Sequence, residues 1–269
     1  MKGPELLAHY EDNWETDMGG WFPGERVVLR GKDLFSEFGE SSWMEYLLFI
    51  VTGKRNPELA NLIQTIWVLS TSYPDPRLWN NRVASFAASS RSTGVLALSS
   101  GVAVSEATIY GLKPIKGATD FFIRVKKKLQ QGDFLEEIIT DELVKYKSVY
   151  GYGRPMVAQD ERVVPVLMLA KRLGFDKGEY LDLAFDVEKI LSEKHRMKIN
   201  IAAVYAALMA DAGLSAIEAY YMASLSFTAG MLGPFVDALD KPEAAFFPLS
   251  VNRLRCSGFT ETRKWGDMK

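Results

Sequence analysis

Histidine and cysteine are almost missing from this chain. Its two histidines, His9 and His195, lie far apart, and its one cysteine is Cys256. A single thiol excludes an internal disulfide and fits a reducing compartment. Two distant imidazoles and one thiol give no metal-ligand spacing. His195, between Lys194 and Arg196, reads as a cation closing a helix C-terminus. An excess of either charge is also lacking: 32 Lys and Arg face 34 Asp and Glu, for a net charge of −2. That balance excludes a dedicated nucleic-acid surface, and the short run Lys126 to Lys128 reads as a solvated helix face. No run of about 18 uninterrupted apolar residues is present, so no membrane span is expected. The start, Met1 to Gly20, is acidic and has no signal-peptide core. A cytoplasmic protein with no nucleic-acid or membrane partner is the expectation. Gly151-x-Gly153 follows no strand and has no third glycine, so it is not a dinucleotide fingerprint. Neither a Gly-x-Ser-x-Gly elbow nor a phosphate-binding Gly-Lys-Ser/Thr loop occurs.

What the sequence does have is helical periodicity. Hydrophobic residues make up 48% of 269 positions, enough for a sizeable core. Ser42-Trp-Met-Glu45 reads as a capping box, and the helix it opens stops at Gly53. Pro57 fits a first helical turn, with Leu59, Ile63, Ile66 and Val68 forming an apolar stripe. Tyr73-Pro-Asp-Pro76 breaks that helix. Further helices are expected over Arg77 to Ser90, Gly94 to Gly111, Asp120 to Gln130, Asp133 to Tyr146, Arg162 to Leu173, Glu179 to Lys194, Ile201 to Ala212 and Ser215 to Leu239. Loops are expected at Leu112 to Gly117 and Gly151 to Arg154. Gly94 to Gly111 is rich in small side chains, which suits a deeply buried or dimer-interface helix. Only Arg26 to Arg30 alternates like a strand, and it predicts a short hairpin. The expected fold is all-α, with a small β element near the start. The tail after Pro248 is basic and aromatic (Arg253, Arg255, Arg263, Trp265) and reads either as a strap on a partner subunit or as a loose surface tail.

Three stretches resemble the citrate synthase and citryl-CoA lyase family in its short form, and with the helical frame the resemblance covers roughly residues 26 to 258. Leu29-Arg-Gly-Lys-Asp-Leu34 followed by Gly53-Lys-Arg-Asn-Pro57 resembles the family's opening. Gly151-Tyr-Gly-Arg-Pro155 with Asp160-Glu-Arg162 resembles Gly-aromatic-Gly-His-Pro followed by Asp-Pro-Arg. Asn200-Ile-Ala-Ala through Asp211-Ala-Gly213 resembles the Asn-Val-Asp segment and its helix. The resemblance implies a citrate synthase-like helical unit over 1–269, with a smaller lobe at roughly 120–200 and a large lobe for the remainder. It also implies a homodimer, or pairing with a homologue. The expected ligands are an acyl-CoA and a small carboxylate, with a coenzyme A thioester as substrate and no permanently bound cofactor.

The groups that carry the family's chemistry are exchanged here. Arg154 stands where the resemblance implies a histidine that polarises a carbonyl. Ala202 replaces the proton-removing aspartate. Ser105-Glu-Ala-Thr-Ile-Tyr-Gly111 takes the place of a Gly-Pro-Leu-His-Gly-Gly-Ala motif, so Ile109 or Tyr110 falls at its histidine. Phe227 stands in for an arginine, and Pro234 takes the place of a histidine. Arg162 is kept, and an arginine fork matches a carboxylate. A guanidinium donates to an oxyanion but does not titrate near neutral pH. The expected reacting groups are Arg154, Tyr110 and Asp160, with Arg162, Asn200 and Glu106 as substrate-binding residues. Glu106 and Tyr110 would share one helical face. A structural alternative is that Asp160 caps the next helix and pairs with Arg162 or Arg154. Two functions follow. One is an enzyme that makes or breaks a carbon–carbon or thioester bond with altered groups. The other is a catalytically degenerate relative serving as a structural or regulatory subunit. The gain of Arg154 and Tyr110 tips the sequence reading toward the enzyme.

Overall fold

The computed structural model describes residues 1–13, 15–71, 73–108, 110–154, 159–246 and 248–253. Ile109, Pro155 and the tail carrying Arg255, Cys256, Arg263 and Trp265 lie outside them. Among the described residues the fold is helical apart from one small sheet. A short helix α1 (Pro4–Tyr10) precedes β1 (Gly19–Phe22), β2 (Arg26–Leu29) and β3 (Lys32–Asp33). These pair antiparallel in that order, with Trp21 opposite Val27. The expected strand at Arg26 is thus the middle of three. It ends at Leu29, because Arg30 turns to a positive φ and spends its guanidinium on the Ile50 carbonyl.

Helices α2 (Leu34–Phe38), α3 (Trp43–Thr52) and α4 (Pro57–Thr71) follow. Ser42 caps α3 by accepting from the Glu45 N–H, and Gly53 ends it in the left-handed conformation. Only that half of the expected capping box is used, because the Glu45 carboxylate pairs instead with Arg55 at 2.7 Å. The chain continues through α5 (Trp79–Ser89), α6 (Gly94–Ser105), α7 (Leu112–Gln130), α8 (Leu135–Tyr146), α9 (Val163–Arg172), α10 (Glu179–His195), α11 (Ile201–Asp211), α12 (Ala216–Ala223) and α13 (Thr228–Leu239).

Three of these differ from the pattern-based expectation. The segment Leu112 to Gly117 is the first turns of α7, not a loop. Its Pro114 sits in the opening turn, where no helical partner waits for the missing N–H. Helix α6 ends at Ser105, well before Gly111. The single helix expected over Ser215 to Leu239 is interrupted by turns at 224–227.

The chain divides into two compact units. One comprises Met1–Tyr73 and Val102–Ala229, the other Pro74–Gly101 and Gly230–Lys269. The stretch 120–200 lies inside the first. The core of that first unit is α11, which packs on α7, α10, α9 and α12. Ala203 to Ala210 are all buried, so α11 is apolar all round and enclosed by its own chain, as a central helix must be. Helix α6 buries Ala97 and Ser105 but exposes Val95 and Leu96, so it is a surface helix and not a deeply buried one. In the second unit, Phe86 meets Phe246 edge-on at 4.8 Å, and the Arg91 guanidinium donates to the carbonyls of Leu239 and Lys241.

Candidate functional site

The first turn of α11 organises the site in the larger unit. Asn200 is its N-cap, with the side-chain oxygen accepting from the Ala202 N–H at 2.9 Å. The Asn200 amide nitrogen donates to the Gly153 carbonyl at 3.0 Å. The backbone ties the same two segments together: the Asn200 N–H donates to Gly151 O, and the Gly153 N–H to Lys198 O. Gly151 adopts φ +91°, and a side chain there would come within 2.6 Å of the Ala203 Cβ. Only glycine allows the loop to lie this close to α11. The loop's own aromatic, Tyr152, is buried and donates to the Ala184 carbonyl.

Asp160 is brought to the same turn. One of its oxygens accepts from the Arg162 N–H and Nε. The other accepts from Arg162 Nη2 at 2.7 Å and from the Ile201 N–H at 2.9 Å. Its side chain is wholly shielded from solvent. Burial alone would raise its pKa, but the Arg162 fork and the amides of Ile201 and Arg162 outweigh burial and hold the carboxyl below its usual range. Arg162 donates its remaining bond to the Ser70 carbonyl at the end of α4. Burial works against its charge, yet Asp160 more than compensates, so the guanidinium stays ionised.

Arg154 lies on the rim. Its Nη1 contacts Glu161 at 2.5 Å and Asp160 at 3.6 Å. The Glu161 carboxyl is held low by its own backbone hydrogen bond, and then by Arg154. Two cations and two anions therefore cancel. Tyr110 and Tyr73 both lie within electrostatic reach of Arg162. Burial raises the pKa of each phenol, with Arg162 opposing, so both remain protonated near neutrality. The Tyr110 ring leans on Phe227 at 5.9 Å.

Arg154, Asp160, Arg162 and Asn200 are thus gathered around one helix start, with Tyr110 within electrostatic reach of Arg162. Glu106 is not with them. Because α6 has ended, Glu106 and Tyr110 share no helical face. Glu106 pairs in a β-bridge with Gly111, and its exposed carboxylate accepts from the Tyr220 hydroxyl at 2.8 Å. Gly111 holds φ +104°, and a Cβ there would fall 2.0 Å from the Ser105 carbonyl oxygen. Asp160 is spent as a structural hub, as in the pairing alternative, and Asn200 is spent as a cap. Glu161, Ser70 and Tyr73 were not anticipated. Glu161 had a signal: a glutamate stands where the resembled pattern has proline, beside an arginine in place of histidine. Among the described residues no group of His, Cys, Asp and Glu is arranged to hold a metal ion.

By sequence, no family model matches this chain, nor does any curated protein. By structure, a citryl-CoA lyase from Hydrogenobacter thermophilus superposes with a TM-score of 0.78 at 17% identity, covering 94% of this chain and 97% of the other. This is the citrate synthase fold. The ATP citrate lyase of Methanosaeta concilii, solved in complex with (3S)-citryl-CoA, shares it with a TM-score of 0.66 at 17% identity. The citrate synthase of Thermoplasma acidophilum, solved with carboxymethyl coenzyme A and oxaloacetate, shares it at 0.63 and 15%. This chain spans only 41% and 59% of those two proteins.

Proposed function

We propose that this chain is a citrate synthase-type binding protein that takes an acyl-CoA, a small carboxylate or both, and that has lost proton removal next to a thioester. It would act in the cytoplasm as a structural or regulatory subunit, as a homodimer or paired with a homologue. One observation carries the reading: Asp160, the buried carboxylate at the start of α11, already accepts four hydrogen bonds. A base needs a free lone pair in reach of the substrate proton. Asp160 offers none, Glu161 is paired with Arg154, and Ala202 carries only a methyl group. Missing base catalysis removes roughly a hundredfold to ten-thousandfold in rate. Binding is a weaker demand. Two of the five Arg162 N–H bonds have no acceptor among the described residues, and these fit one more anionic oxygen.

A second reading, an enzyme of altered chemistry, draws on Tyr110. A phenol kept protonated beside a guanidinium is an oxyanion donor. Calorimetry with acetyl-CoA and coenzyme A, together with product assays on citrate, citryl-CoA and oxaloacetate, separates the two. The expected result is binding without turnover. Turnover that disappears in Tyr110→Phe or Arg154→Ala would establish the enzyme instead. Absence of binding to any of these compounds would sink both readings.

A further inference from the structure

The geometry points to a second ligand site, inside the unit formed by Pro74–Gly101 and Gly230–Lys269, that takes a small uncharged aromatic molecule bearing one carbonyl oxygen. The site is a cavity of about 250 Å³ lined by α5, α13 and the segment that follows α13. Its floor is buried. Ser85 and Ser89 come from one face of α5, a single turn apart, and Ala238 comes from α13. Pro242, Ala245 and Phe246 form the outer wall, with Pro76 completing it. The cavity shares no residue with the site at the start of α11.

The wall is tied down along its length. Arg91, just past α5, donates to the carbonyls of Leu239 and Lys241. The Ala244 N–H donates to the Ser89 carbonyl, and the Phe246 N–H to Ser89 Oγ at 3.2 Å. Phe86 steadies the Phe246 ring edge-on. Arg91 and Ala244 both hold a left-handed backbone, at φ +57° and +58°, a conformation unfavourable for residues with a Cβ. Such strain persists where the surroundings impose it, and it gathers at ligand clamps.

The floor hydroxyls set the polar end of the ligand. Ser85 reaches only the Pro234 carbonyl among the described residues, at 3.4 Å. That is well beyond the roughly 2.7–2.8 Å of a good O–H···O bond. Ser89 Oγ accepts from Phe246, and its own proton has no acceptor among the described residues. Two under-used donors therefore line the deepest part of the cavity, and one carbonyl oxygen, with two lone pairs, accepts from both. Charge is not called for, because Asp237 and Lys241 at the rim pair with each other at 3.0 Å. An ion would lose its hydration there without a counter-charge. Pro76, Pro242 and Phe246 offer flat rings, against which the ring of a ligand packs. A dry cavity of about 150 Å³ is enough to hold benzene, so the space here admits a ring with a short substituent.

Acetophenone and ethylbenzene, which differ by the carbonyl oxygen, test the site by ligand-detected NMR titration of the wild-type full chain, S85A and A238L. The wild-type chain should bind acetophenone about tenfold more tightly than ethylbenzene, the worth of a neutral hydrogen bond. S85A should weaken acetophenone about fivefold and leave ethylbenzene unchanged. A238L, whose added side chain fills the floor, should bind neither. Melting curves establish that each variant is folded. If A238L is not, A245L closes the same space from the exposed wall and is read in the same way. Equal wild-type affinities for the two compounds, equal losses for both in S85A, or binding retained by a folded filled variant would overturn the inference. No acetophenone binding by the wild-type chain would mean that water alone occupies the cavity, and would overturn it too. None of these outcomes depends on whether an acyl-CoA binds at α11.

Discussion

Asp160 ties folding to protonation. Its carboxyl titrates lower in the folded protein than the roughly 3.9 of an unfolded chain. A depressed folded-state pKa contributes stability that is complete above the unfolded value and disappears as pH falls through the folded one. Urea midpoints measured from pH 7 down to pH 3 should therefore drop steeply below about pH 4, and Asp160→Asn should flatten that drop. Arg162→Ala at pH 7 should cost about 3–5 kcal/mol, since it strands a buried carboxylate. A cost under about 1 kcal/mol would mean that the pair behaves as a surface contact. At this scale the sequence was half legible. The triplet Asp160-Glu-Arg162 showed a carboxylate beside an arginine, but not that Ile201, forty-one residues on, would supply the fourth donor. Contacts of that separation leave no periodicity to read. Glu106 was misplaced for a simpler reason: small residues continue past Ser105, and composition does not say where a helix of small side chains stops.

Helix starts and stops are where the elements follow side-chain chemistry most directly. Asn200 both caps α11 and holds the Gly153 carbonyl. Asn200→Ala should lower stability by about 1–2 kcal/mol from the cap alone. Asn200→Asp should recover the cap and not the tie to Gly153, which a comparison of the two unfolding curves would resolve. Equal losses would show that the cap is unimportant. The N-cap at Ser42 and the stop at Gly53 could be read ahead of the structure; the cap at Asn200 could not, because the residue read as a substrate-binding group. Helix α7 could not. Its Pro114 and Gly117 imitate a turn, and Gly117 belongs in a helix only because the Tyr150 ring packs where a side chain would go, with the nearest ring atom 2.2 Å from a built Cβ.

The whole molecule has a net charge of −2 and an isoelectric point near 5.9. Self-repulsion is weakest there, so solubility in polyethylene glycol titrations should pass through a minimum close to that pH. A minimum more than about two pH units away would mean that shifted ionisations, and not sequence charge, govern the surface. Within Ala216–Leu239 an 18-residue window is apolar enough by composition to cross a membrane, with a mean hydropathy of 1.2, and half of that window is buried within the protein. Broken into α12 and α13, the run buries Met222, Met231 and Phe235 and exposes Tyr221, Leu232 and Val236. The class of fold was readable at this scale because 3.6-residue periodicity recurs along most of the chain. The division into two discontinuous units was not, since it depends on which distant helices touch.

The bridge between Glu106 and Gly111 pairs two backbone positions five residues apart. Gly111 reaches it at φ +104°, where the Ser105 carbonyl leaves no room for a side chain. That glycine is the keystone of the region: Gly111→Ala would undo the closure and, with it, the seating of the adjacent Tyr110 ring against Phe227. Any attempt to install an activity on this scaffold has to leave it in place.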